Sequence, residues 1–161
     1  SPWNFYDLLS EFFQRHDIPI GPVLMLRNWG VYRDELFPTD QRKHKLPIIR
    51  QMVDLYTDLP FILIGDSGEA DPEIYEEIVS RYPGRVLAVY IRNVGRDVKR
   101  PASIQMLAER VEAAGSALIL ANGSLTLARH AAEHGWIQQK ALTEITEELQ
   151  QISSTKETQG G

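Results

Sequence analysis

The sequence predicts an α/β fold built on a doubly wound parallel sheet, and three observations carry that prediction. Phe61-Ile62-Leu63-Ile64 is an unbroken apolar run that stops at Gly65-Asp66, which is how a strand covered on both faces reads. Along the rest of the chain, short apolar runs alternate with helical patterns. That alternation implies βαβ crossovers and a sheet whose ligands sit at the carboxyl ends of its strands. Finally, 161 residues, 43% of them hydrophobic, can bury one ordinary core but not two.

Each element can be read in turn. Phe5, Leu8, Leu9, Phe12 and Phe13 recur at helical spacing, so the first segment is an amphipathic helix ending near His16, ahead of Pro19 and the Gly21-Pro22 turn. Ser1-Pro2 opens that helix as a cap with proline at its first position. No initiator Met and no strand stand ahead of it, so the expectation is a piece of a longer α/β chain, or a processed one. Residues 23–26 form a short apolar run consistent with a buried strand, followed over 27–38 by a loop with Trp29 and Tyr32 among its charges. A second helix is expected over about 40–56, with Leu46, Ile49, Val53 and Tyr56 on one face and Pro47 tolerable only near its first turn.

After the strand at 61–64 and a loop over 67–71, Pro72 starts a helix through Ile74, Tyr75, Ile78 and Val79. Residues 85–91 read as a strand, 101–114 as a helix, 117–120 as the last strand and 124–134 as the last packed helix. From Gln138 onward, Leu142, Ile145, Leu149 and Ile152 keep a weak helical stripe, and residues 153–161 are polar and expected to be disordered.

Composition removes several classes of function. The net charge of −5 and the lack of a dense Lys/Arg run argue against a nucleic-acid partner, because phosphate neutralisation dominates that kind of affinity. With no cysteine, neither a disulfide framework nor thiolate metal ligation is available. No apolar run approaches the roughly 20 residues of a membrane span, and the first residues lack the order of a signal peptide. The expectation is a soluble chain, cytoplasmic or peripheral to a membrane.

The strongest chemical signal is Gly65-Asp66-Ser67-Gly68-Glu69-Ala70-Asp71-Pro72, which puts two carboxylates in a tight loop at the end of a buried strand. Magnesium takes a few carboxylate oxygens, keeps several waters and gains its other ligands from substrate phosphate, so a sparse acidic loop suits it. The competing reading makes Asp71 an N-cap with Pro72 behind it, and the two readings of Asp71 are evenly balanced. Gly-Asp-Ser-Gly also surrounds the nucleophile of chymotrypsin-like proteases, but those are all-β and the rest of a triad has no counterpart here. Lys45 is expected near a helix N-terminus, where the macrodipole gives a cation no benefit, in the basic stretch Arg42-Lys43-His44-Lys45; for any single lysine the commoner state is simple solvation. His130 and His134 stand at metal-ligand spacing without the glutamate that zinc proteases place between, and read as structural.

Taken together, Ser1-Pro2-Trp3-Asn4, the stretch Leu-Arg-Asn-Trp-Gly-Val-Tyr-Arg at 26–33, His44-Lys45-Leu46 and Gly-Asp-Ser-Gly-Glu-Ala-Asp-Pro-Glu-Ile-Tyr at 65–75 resemble one family. It is that of the actin-patch-associated phosphatidate phosphatases, distant relatives of the lipins within the haloacid dehalogenase superfamily. The resemblance runs from residue 1 to about 137 and leaves 138–161 as a tail. It implies a haloacid dehalogenase-like sheet whose first strands lie upstream of this chain, leaving strand edges and apolar faces exposed in the isolated chain. It also implies an aspartate nucleophile, with a second aspartate two positions later as acid and base.

By the same resemblance Asp66 completes the magnesium site and Asp71 supports it, Lys45 neutralises the nucleophile and phosphoryl oxygens, and Ser1 stands at or next to the serine that binds the transferring phosphoryl group. Arg27, Trp29 and Arg33 could grip a phosphate and a glycerol or acyl edge at a peripheral membrane surface. The sequence departs from the family pattern in one respect: it contains no Asp-x-Asp pair, so the chain by itself is expected to be inactive. The expected substrate is phosphatidate. The competing readings are a related phosphatase for a soluble phosphomonoester and a non-catalytic module that binds metal, phosphate or a partner protein.

Overall fold

The computed structural model describes Glu11, Gln14 and Arg15, residues 41–95 and residues 97–159. The chain divides into two compact units, Ser1–Thr57 and Asp58–Gly161, each considered by itself. In the first unit Glu11, Gln14 and Arg15 are helical, as their place in the expected first helix requires, and helix α1 spans Gln41–Leu55. Val53 is fully buried, whereas Leu55 and Tyr56 are exposed. Pro47 lies inside α1 rather than in its first turn. The helix continues past a residue that has no N–H to donate to the carbonyl four positions earlier, at the cost of that bond. The expected strand at 23–26 lies outside the described residues.

The second unit is the α/β part. Its strands β1 (Phe61–Asp66), β2 (Val86–Arg92) and β3 (Ala117–Ala121) form a parallel sheet in the order β1-β2-β3. Helices α2 (Asp71–Arg81) and α3 (Arg100–Ala113) make the two crossovers, and α4 (Ser124–Glu133) and α5 (Gln139–Gln159) follow β3. Ile62 to Asp66 pair in register with Ala88 to Arg92, and Ala88 to Arg92 with Ala117 to Ala121. β2 is buried along nearly its whole length, as a central parallel strand covered on both faces should be.

One face of the sheet carries Ala88 and Tyr90, packed with Ala131 of α4 and flanked by Ile62, Ile119, Leu127, Trp136 and Ile137. Strand alternation sends Val89 and Ile91 to the other face, where both are completely buried. Helices α2 and α3 supply the cover there: α2 packs on β1 and β2, α3 packs on β3 and on α2, and Ile74, Ile78, Ile104 and Val111 are all buried. Helices therefore lie on both faces of a parallel sheet, the doubly wound arrangement that the sequence pattern predicts.

The element limits follow the sequence signals closely, with three differences. β1 and β2 each extend to the polar residue after the apolar run, Asp66 and Arg92, because ladder pairing does not stop where hydrophobicity does. α3 begins at Arg100, ahead of Pro101, which takes an early position where a missing N–H costs nothing. α5 runs through to Gln159, past Ile152, into the stretch expected to be disordered. No proline or glycine interrupts that stretch before Gly160, so nothing in the backbone chemistry breaks the helix where its apolar stripe ends. No helix among the described residues is long and apolar enough to cross a membrane.

Candidate functional site

The site is built where β1 runs out. Asp66 is the last residue of that strand and Asp71 the first of α2, so a four-residue loop separates the two carboxylates. Asp71 is not the N-cap. Ala70 occupies that position with no side-chain cap bond, and Asp71 instead turns back so that its Oδ2 accepts the Asp66 backbone N–H at 3.2 Å. The capping alternative for Asp71 is thereby removed.

The fold over the strand end requires Gly65. A Cβ built at that position would lie 2.6 Å from Asp71 Cβ and 2.7 Å from its Cγ, closer than real atoms approach. Asp71 itself is buried, 4% exposed, a placement that carboxylates adopt only with partners. Asp66 is held from the other side, its Oδ1 accepting the Gly68 N–H at 2.8 Å in a local turn.

Ser67, the next residue, is almost as buried as Asp71. Its N–H donates to the Arg92 carbonyl at 2.9 Å, its Oγ accepts the Val94 N–H at 3.0 Å, and the same hydroxyl donates to Asn93 Oδ1 at 3.4 Å. This hydroxyl is engaged in tying two loops together, and it stands in a parallel α/β sheet. The protease-like reading of Gly-Asp-Ser-Gly has no structural support.

Asn93 extends the network. Its N–H donates to the Ala121 carbonyl at 2.7 Å, its Nδ2 donates to Asn122 Oδ1 at 2.8 Å, and its Oδ1 also accepts the Gly95 N–H at 3.1 Å. Ser67, Asn93 and Asn122 each follow directly on one of the three strands, so a line of bonded polar side chains runs along the carboxyl edge of the sheet. Arg100 at the start of α3 reaches back to the acidic loop. Its Nε donates to the Ser67 carbonyl at 2.9 Å and its Nη2 to the Glu69 carbonyl at 2.7 Å. The same guanidinium forms a two-point ion pair with the Glu73 carboxylate through Nη1–Oε1 and Nη2–Oε2. The bond to Glu73 holds the Arg100 guanidinium above its ordinary pKa, so it is a fixed positive charge.

The sequence singles out Asp66 and Asp71, and the structure brings them together. Lys45 is half-buried as the fifth residue of α1, in the first unit, while the acidic loop belongs to the second. Ser1, Arg27, Trp29 and Arg33 lie outside the described residues. Asn93, Asn122, Glu73 and Arg100 were missed. A polar residue directly after an apolar run marks Asn93 and Asn122 in hindsight, but Arg100 lies 33 residues from the carbonyl it holds and carries no local signal.

On the α4 face, His130 and His134 stack on each other with ring centres 4.2 Å apart, and His134 also lies 4.8 Å from Trp136. Tyr90 Oη is 2.9 Å from His130 Nδ1, and His134 Nδ1 is 2.9 Å from the His130 carbonyl. These bonds make the pair a packing motif, in line with the structural role read from its spacing. Among the described residues no group of three or more His, Cys, Asp or Glu is placed to hold a metal ion. Two carboxylates offering hard oxygens at the end of a strand nonetheless match what a magnesium site takes from its protein, the remaining ligands being water and phosphate.

Fold and loop together define a class: an α/β protein of the doubly wound kind whose ligand edge carries paired carboxylates over a glycine. The chain belongs to the phosphatidate phosphatase APP1 catalytic-domain family, whose profile matches residues 1–93. It is 36% identical over 100 residues to an uncharacterised protein of Schizosaccharomyces pombe, covering 60% of this chain and 16% of that one. It is 30% identical over 92 residues to phosphatidate phosphatase APP1 of Saccharomyces cerevisiae, covering 57% of this chain and 15% of that one. The chain thus spans about a sixth of the length of the curated relatives it matches. No solved structure matches it.

Proposed function

We propose that this chain supplies the later part of the catalytic domain of a magnesium-dependent phosphatidate phosphatase, which releases phosphate from phosphatidate and leaves diacylglycerol. The observation that carries this reading is the Asp71 carboxylate folded over Gly65 onto the Asp66 amide, at the sheet edge where such folds bind ligands and within the stretch matched to the family. Asp66 would contribute a carboxylate oxygen to the cation, and Asp71, buried and bonded to the Asp66 backbone, would hold that strand end in place and add negative charge. A bound magnesium ion would screen the repulsion between the phosphate and the attacking carboxylate, so that the two anions can meet. Lys45 would add a positive charge for the nucleophile and the phosphoryl oxygens, with Ser1 donating to the phosphoryl group. Arg27, Trp29 and Arg33 would contact the substrate at a peripheral membrane surface.

The reaction has two steps: an aspartate oxygen bonds to phosphorus as the alcohol leaves with a proton, and water then cleaves the aspartyl phosphate. The nucleophile and its acid–base partner two residues on would come from sequence upstream, since no Asp-x-Asp occurs in these 161 residues. That same observation favours one competing reading, a module that binds metal, phosphate or a partner without turnover.

The test is magnesium-dependent phosphate release from phosphatidate and from a soluble phosphomonoester, by this chain and by a form extended upstream, each with and without Asp66→Asn. Release by the extended form alone, selective for phosphatidate and lost with Asp66→Asn, is the expected result. A folded extended form containing Asp-x-Asp that released nothing would overturn the reading in favour of the binding module, and preference for the soluble ester would reassign the substrate.

A further inference from the structure

Arg100 stands apart among the basic residues of the second unit because three separate features of the acidic loop converge on it. Its Nε holds the Ser67 carbonyl, its Nη2 holds the Glu69 carbonyl, and its two terminal nitrogens hold Glu73 on the first turn of α2. The two carbonyls flank Gly68, so the guanidinium spans the loop that joins Asp66 to Asp71.

Peptide geometry turns this grip into an orientation. The Ser67 carbonyl and the Gly68 N–H belong to one planar trans peptide and point in opposite directions. With the carbonyl drawn toward Arg100, the N–H is aimed away from it, and it is this N–H that donates to Asp66 Oδ1 at 2.8 Å. The position of the Asp66 carboxylate is therefore set through one rigid peptide by a residue 34 positions later in the chain. A planar guanidinium can hold two carbonyls and a carboxylate at once because its donors are fixed in a fork, which an ammonium group cannot reproduce.

Charge points the same way. A cation held by Asp66 would be repelled by an unpaired guanidinium nearby, but here Glu73 takes the charge of Arg100 in a two-point, half-buried pair. We infer that Arg100, neutralised by Glu73, is a positioning residue that fixes the Asp66 carboxylate for cation binding through the Ser67–Gly68 peptide. This inference rests on the proposal that the loop binds magnesium. The structure provides an internal control, because Arg110 of α3 pairs with Glu76 of α2 at 3.3 Å. That contact joins the same two helices away from the loop, so it reports on helix docking alone.

The test uses the extended form and three variants, Arg100→Lys, Glu73→Gln and Arg110→Lys, with two readouts. Amide hydrogen exchange at Asp66 and Gly68 reads the loop without any metal, and titration with manganese followed by electron spin resonance reads cation affinity directly. Arg100→Lys is expected to accelerate exchange at Gly68 about tenfold or more while β2 and β3 stay protected, and to weaken manganese binding by about 10- to 100-fold, the range for lost support behind a metal ligand. Glu73→Gln is expected to weaken manganese binding as well, whereas Arg110→Lys should change neither readout. Unchanged Gly68 exchange in Arg100→Lys, or equal effects from Arg110→Lys, would overturn the inference. If the wild-type protein bound no manganese while Gly68 exchange still rose in Arg100→Lys, the metal reading would fail but the clamp on the loop would stand.

Discussion

Gly65 shows how one missing atom can decide a site. Its lack of a side chain is what lets Asp71 lie against the strand end, so Gly65→Ala should push that carboxylate away and lose the bond to the Asp66 amide. The expected loss is about 1–3 kcal/mol, the usual range for overpacking a tight position. Asp71→Asn, which keeps the shape, should cost less; urea unfolding of the three proteins checks the order, and a Gly65→Ala protein as stable as wild type would contradict it. At this scale Asp66 is legible in the sequence because an acid that ends a four-residue apolar run has few innocent explanations. Asp71 is only half legible, since an aspartate before a proline is equally a capping signal and only the observed bond separates the two. Arg100 is not legible at all: its partners are Ser67, Glu69 and Glu73, and nothing local in the sequence ties a helix-starting arginine to a loop one crossover earlier.

Among the elements, α4 carries the titrating contact. Burial, and then the neighbouring His134, hold His130 below the ordinary imidazole pKa, with Glu133 opposing in part. A depressed imidazole takes up its proton less readily when folded than when unfolded. Its contribution to stability is therefore intact above the unfolded value of about 6.5 and is lost as the pH falls through the lower folded value. Wild type should lose more stability than His130→Gln on acidification across that window, measured as the shift in urea midpoint; parallel profiles would remove His130 as the cause. Tyr90→Phe should destabilise the fold by about 1 kcal/mol at neutral pH, since it removes the hydroxyl that bonds His130 Nδ1. The helices and strands are readable because amphipathic helices repeat at about 3.6 residues whereas the buried strands are short unbroken apolar runs, and because Pro72 and Pro101 mark helix starts. Pro47 misled because its rule describes cost rather than prohibition, and α5 outran its apolar stripe because a stripe reports burial, whereas helix continuation needs only residues that do not break it.

Across the second unit, β1 and β3 are both edge strands among the described residues, and they differ in the apolar side chains they expose. Among the described residues β1 pairs only with β2, and Ile64 in its middle is 69% exposed. An unpaired strand edge beside an exposed isoleucine is a template for pairing with another chain. Ile64→Lys should leave folding stability within about 0.5 kcal/mol, as for other exposed positions, while reducing concentration-dependent association in light scattering. Association that was unaffected would show that the edge is covered in solution. The lateral order β1-β2-β3 is given by the ladder pairing, whereas the parallel sense of the three strands follows from the βαβ alternation in the sequence. How two units of 57 and 104 residues divide the chain does not follow from it, since apolar periodicity continues across the boundary without a linker composition to mark it. The identity of spatial and chain order also has a meaning during synthesis. The rim residues leave the ribosome in the order in which they stand along the edge, Ser67, then Asn93, then Asn122, and the acidic loop emerges 33 residues before the arginine that braces it. A nascent chain that stalls between them presents a strand and two carboxylates with no clamp, so the speed of translation over that short interval sets how long the loop is left unsupported.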